Sequence, residues 1–230
     1  MTNTLHRYGQ AESFHDDYII FAIPCKGKND EGAVEKLKIF LGICAKHQPI
    51  NLGNSSFGSY RPSSDLGPSV HWKRSLATDE RSVIDGINRT ATAAAVFDSR
   101  DKAEACLRDL VEADLGLSVN VSTSVEGAKR VAADCGIQRH SVEYSLGFDD
   151  PHDHLPDKRV LGLSTMCGHG MVSANLAKKM IDMVHEGRRT PEQAAVVLAR
   201  FCPCGVYNPV RAKRLLDPGS GSSGWFFLSV

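Results

Sequence analysis

The sequence predicts an α+β protein in which a two-layer, ferredoxin-like sheet-and-helix domain is followed by a small helical module rich in chemistry-bearing cysteines. Three observations lead there. Short β-branched and aromatic runs alternate with amphipathic helical segments over the first two thirds of the chain. Residues 149–156, Asp-Asp-Pro-His-Asp-His-Leu-Pro, form a turn-rich joint. Beyond it, strongly punctuated helices replace the strands. These features set the boundaries at 1–157 for the sheet domain, with an insertion at 51–88, then 158–217 for a metal-binding helical module and 218–230 for a flexible Gly/Ser tail.

Along the chain, residues 18–24, Tyr-Ile-Ile-Phe-Ala-Ile-Pro, read as a strand, and 31–47 as a helix with Val34, Leu37, Leu41 and Cys44 on one face. A short extended segment comes next at 49–52. The Gly/Ser/Pro-dense insertion carries one helix at 78–87, and a connection of this length suits a lid or binding loop. Residues 91–97 form the next strand, with Asp98 and Ser99 as caps for a helix over 100–114 that Gly116 stops. The alternation in 117–123 is that of a half-buried strand. A helix over 124–135 then ends at Gly136, and 141–146 reads as a further strand.

In the last third, 171–186 is a helix ending at Gly187. Thr190-Pro-Glu-Gln193 is a capping box opening a helix to Arg200, and Asn208-Pro209 opens 210–216. Three short helices bury little alone, so they must lean on the sheet or be stapled. The terminal 225–230 carries no assigned function.

Composition excludes several classes. Lys plus Arg (27) equals Asp plus Glu (27), so phosphate-backbone binding, which needs clustered cationic excess, is not expected. The longest early apolar run is too short for a bilayer, and residues 1–17 lack a signal-peptide pattern, so a cytoplasmic protein without a membrane partner is expected. Seven cysteines are odd in number and too scattered for a disulfide scaffold. Cys44, Cys106 and Cys135 lie on apolar helix faces and read as core, and Cys25 sits at a strand end before Lys26-Gly-Lys28.

The informative residues are Cys167-Gly-His-Gly170 and Cys202-Pro-Cys204-Gly205. The 31 residues from 171 to 201 allow one helix out and one back, which returns Cys202 and Cys204 to Cys167 and His169. Three thiolates and an imidazole suit tetrahedral Zn²⁺, and three cysteines with a labile fourth position suit an iron–sulfur cluster. Helix N-termini expected just after Cys167 and Cys204 would stabilise thiolate charge. The spacing is not the doubled C-x-x-C, and buried packing thiols are the plain alternative.

A thiol-enzyme reading makes Cys167 a nucleophile with His169 as base and Cys202 with Cys204 a redox pair. Asn208 and Arg211, and His71 and Lys73 beside Trp72 and Arg74, are candidate contacts for an anionic substrate. His152 and His154 among acids form a weaker ion or proton-shuttle candidate, against a polar hinge. No Walker loop, H-E-x-x-H or G-x-S-x-G is present.

The leading expectation is a metal- or iron–sulfur-dependent lyase or hydrolase acting on a small anionic molecule, with His169 and Cys167 in catalytic roles. A homo-oligomer is compatible with it. The first alternative is a non-enzymatic small-molecule sensor with a structural Cys₃His zinc site, and the second a Cys-dependent redox enzyme.

Overall fold

Strand β1 (Tyr18–Ile23) sends Ile19 and Phe21 to one side and Tyr18, Ile20 and Ala22 to the other, and both sets are buried. A strand apolar on both faces must be covered on both. The computed structural model describes residues 5–54, 80–139, 141–142, 155–202 and 204–221, and among them both faces are covered by helices. The sheet has four strands in the order β2-β3-β1-β4, with every neighbouring pair antiparallel. Strands β2 (Asn51–Asn54), β3 (Ala93–Phe97) and β4 (Ser118–Ser122) complete it.

One face carries α1 (Ala33–Lys46), α2 (Glu80–Asp85), α3 (Arg100–Ala113) and α4 (Val125–Asp134). Ile20, Ala95 and Phe97 meet Leu37, Phe40, Leu107 and Leu110 there. The helices start where their caps lie, since the Ser99 and Ser124 side chains accept from the Lys102 and Gly127 amides. The strand expected at 49–52 is shifted to Asn51–Asn54, because the Ile50 amide bonds the Val96 carbonyl and the ladder with β3 runs on from there to Asn54.

The opposite face carries α5 (Lys158–Ser164), α6 (Ala174–His185), α7 (Pro191–Ala199) and α8 (Pro209–Leu216). Ile19, Phe21, Ala94 and Val96 pack with Leu163, Met180, Leu198 and Leu216. The C-terminal helices therefore lean on the sheet and need no staple to find a core. Thr190 and Gln193 form the expected capping box.

Helix α5, opened by an Asp157 cap, was not expected from the sequence, because its seven residues are too few to show a period. The helix expected at 171–186 begins only at Ala174, since Ser173 takes the cap. The 51–88 insertion is described only at its ends. The strand expected at 141–146 lies outside the described residues apart from 141 and 142. His71, Lys73, His152, His154 and the tail beyond 221 also lie outside them. Among the described residues no helix is long and apolar enough to cross a membrane.

Cys44 and Cys106 behave as the apolar faces imply, whereas Cys135, expected in the core, is half-buried at its edge. Cys44 and Cys106 are fully buried with their sulfurs 3.7 Å apart, and this hydrogen bond together with burial pushes the Cys44 thiol well up. Cys25 is exposed. Iodoacetamide followed by peptide mass spectrometry should label Cys25 in the native protein and Cys44 and Cys106 only after denaturation. Native labelling of the buried pair would contradict this packing.

Candidate functional site

The turn after α5 places Cys167, and the link between α7 and α8 places Cys202 and Cys204. The chain between them runs out along α6 and back along α7, and the chemistry-bearing residues converge. The Cys202 and Cys204 sulfurs lie 3.4 Å apart, and Cys204 Sγ lies 3.2 Å from His169 Nδ1. Cys167 completes the group as a hydrogen-bond acceptor shared by Cys202, Cys204 and His169. Cys167 is fully buried and Cys202 is 7 % exposed.

Two backbone approaches that only glycine permits hold this geometry. A Cβ on Gly53 of β2 would fall within 2.6 Å of the Cys204 carbonyl carbon, and one on Gly205 would fall 2.7 Å from the Leu52 carbonyl oxygen. Gly205 also has φ of 68°, in the left-handed region. The cysteine link is thus pressed backbone to backbone on β2. On the other side, Gly168 (φ 76°) lies under the N-terminal segment, where a Cβ would meet Leu5 Cβ at 2.7 Å. The Tyr8 amide donates to Thr165 Oγ1 at 2.9 Å and ties that segment down.

Charge in the group is shared unequally. Hydrogen bonds from Cys202 first, then Cys204, hold the Cys167 thiol far below its ordinary range against its desolvation, with His169 adding to them. The same contact with Cys167 pushes Cys202 up to about 12, drives Cys204 well above an ordinary thiol and raises His169.

This corrects the expected source of thiolate stabilisation. Cys167 follows the C-terminal end of α5 and lies six residues before the Ser173 cap, while Cys204 lies four before the Asn208 cap. Helix dipoles act within the terminal turn, so hydrogen bonds and buried charge do the work instead.

Asn208 and Arg211, expected to touch substrate, are buried and committed internally. Asn208 caps α8 by accepting from the Arg211 amide and donates to the Asp16 carbonyl at 2.9 Å. Arg211 does clamp a carboxylate, but it is Asp17, at 2.9 Å. Arg7, Asp17, Phe14 and Tyr207 carry no motif or spacing that would mark them in the sequence. Burial of Tyr207, whose hydroxyl donates to the Leu163 carbonyl, keeps that phenol protonated.

A groove of about 650 Å³ runs along β4, lined among others by Arg7, Phe21, Val119, Val125 and Arg139. None of Cys167, His169, Cys202 and Cys204 lines it.

The donor set suits a soft metal in kind and number. Tetrahedral zinc with bonds of about 2.0–2.3 Å would separate such donors by about 3.5–3.8 Å, a few tenths of an ångström wider than the Cys202–Cys204 and Cys204–His169 separations of 3.4 and 3.2 Å. Among the described residues no three His, Cys, Asp or Glu side chains are already arranged to hold a metal ion, and the thiols hydrogen-bond one another instead. No family model, no curated protein and no solved structure matches the chain.

Proposed function

We propose that this chain is a metal–thiolate protein in which Cys167, Cys202 and Cys204 hold a zinc ion or an iron–sulfur cluster, with His169 as fourth ligand or as the adjacent proton-moving group. The observation that carries the reading is the convergence of three thiols and an imidazole from two links 35 residues apart, Cys204 on His169 at 3.2 Å. The four-stranded order with antiparallel neighbours supports a ferredoxin-like, split βαβ unit as the platform.

With an open position, such a metal supplies Lewis-acid or water-activating chemistry, which suits a lyase or hydrolase acting on a small anionic molecule in a reducing compartment. His169, less buried than Cys167 and raised in basicity, is placed to hold and release a proton at Nδ1. The 51–88 insertion, whose Gly53 lies against the Cys204 link, is the segment suited to shape a pocket.

The second reading is a closed structural Cys₃His zinc site, and the complete burial of Cys167 favours it. A thiol-redox enzyme is less well supported, because that same burial shields the nucleophile.

Anaerobic purification with metal and sulfide analysis tests the proposal. Brown protein with broad visible absorption indicates a cluster, and colourless protein with one zinc indicates a zinc site. Cobalt-substituted protein whose d–d bands shift on adding a small carboxylate or phosphate has an open position, whereas unshifted bands indicate the closed site. Metal-free protein whose stability is unchanged by Cys202→Ala with Cys204→Ala overturns every metal reading.

A further inference from the structure

Directly behind Cys167 the interior holds an excess of positive charge. The Arg7 and Arg211 side chains are 3 % and 1 % exposed, and both bond the same oxygen, Oδ2, of the fully buried Asp17. Two guanidiniums against one carboxylate leave one positive charge unbalanced. The adjacent Arg214–Asp16 pair, at 2.7 Å, is neutral in itself.

The remaining partners of the two arginines are uncharged. Arg7 donates to the Met166 carbonyl at 2.9 Å and the Ser122 carbonyl at 3.0 Å, and Arg211 donates to the Tyr8 carbonyl at 3.1 Å and Ser13 Oγ at 3.0 Å. The Phe14 ring faces both guanidiniums, at 4.9 and 4.1 Å. Among the described residues Arg211 Nε and Asp17 Oδ1 are buried without a hydrogen-bond partner. An uncompensated interior charge is costly, so a fold that keeps one has an anion to face. The nearest candidate is one residue away: Arg7 bonds the carbonyl of Met166, and Arg211 Nη1 lies 3.6 Å from Met166 Sδ, immediately before Cys167.

We propose that the Arg7–Asp17–Arg211 cluster is the built-in countercharge of an anionic metal–thiolate centre at Cys167, Cys202, Cys204 and His169, and that it sets the affinity of that centre for metal. The inference rests on the metal reading above. A divalent ion that binds there displaces the remaining thiol protons to solvent and leaves three thiolates, a neutral imidazole and M²⁺, a total of one negative charge. A [4Fe–4S]²⁺ cluster on the three thiolates reaches the same total. One buried positive charge thus meets the one negative charge of the loaded centre.

The test is a Co²⁺ titration at pH 7, followed by the sulfur-to-cobalt charge-transfer band, on the wild type, Arg7→Gln, Arg7→Lys, Arg211→Gln and Arg211→Lys. The glutamine variants should bind Co²⁺ about tenfold more weakly, the order of effect one charge has on a neighbouring ionisation. The lysine variants, which keep the charge and lose only the fork, should stay within about threefold. Equal losses in the glutamine and lysine variants, or unchanged affinity in a glutamine variant with wild-type circular dichroism, would overturn the proposal. If neither glutamine variant folds, Asp17→Asn decides, since it adds positive charge and should tighten binding, while weaker binding refutes the idea. A wild type that binds no Co²⁺ overturns the metal reading as well, whereas tight but charge-insensitive binding overturns this inference alone.

Discussion

Asp17→Ala should destabilise the protein by about 3–5 kcal/mol, measured by urea unfolding at pH 7, because removing one member of a buried ion cluster strands its partners. Two guanidiniums that share Asp17 Oδ2 would be left beside one another next to the Phe14 ring, with no solvent to screen them. Burial already presses on this cluster, since desolvation lowers the Arg7 guanidinium to about 10. Asp16→Ala is the control. Its partner Arg214 is 31 % exposed, so water replaces the lost carboxylate and the cost should be about 1 kcal/mol or less. Similar losses at both positions would mean that Asp17 is not the anchor described. The comparison also tests how the N-terminal segment is held, because Arg7, Tyr8 and Ser13 all reach the C-terminal helices through this cluster or beside it.

The second large effect is expected at Gly53→Ala. The added methyl group would press into the Cys204 peptide, 2.6 Å from its carbonyl carbon and 2.9 Å from Gly205 Cα, and backbone atoms cannot rotate away as a side-chain tip can. Either β2 leaves its register with β3 or the cysteine link lifts off the sheet. The expected loss is about 2–3 kcal/mol in stability, as for overpacking elsewhere in protein interiors. Cobalt affinity should fall at least tenfold in a chain that retains all four donor residues. Gly42→Ala is the matched control, since a Cβ there meets nothing within 4 Å and the position is mid-helix, so it should be neutral or stabilising by about 0.5–1 kcal/mol. Wild-type cobalt affinity in Gly53→Ala would show that contact with β2 does not position Cys204.

Much of the local structure was legible in the residues themselves. Caps at Ser99, Thr190 and Asn208 mark helix starts that the structure reproduces, because a side-chain oxygen satisfying an amide two or three residues on is a local event. The convergence of Cys202 and Cys204 on His169 was legible too, since it depends only on the length of two helices and the direction in which the second returns. Helix α5 was not legible, and neither was the start of α6, where Ser173 outcompetes the apolar Met171 and Val172 ahead of it.

What only the tertiary structure decided is the meaning of the charged residues. Arg211 in the sequence is an arginine in the first turn of a helix, equally suited to solvent or to a ligand. Its true partner, Asp17, is 194 residues away, and no periodicity or spacing carries that distance. The same holds for Gly53 and Gly205, which look like ordinary loop and strand glycines until the two backbones are pressed together. The sequence by itself determined the element types, the caps and the inventory of soft donors, because these depend on neighbours along the chain. The fold determined which donors share a charge, what lies behind them and which face of the sheet they rest on, because burial and long-range pairing exist only once the chain has closed on itself.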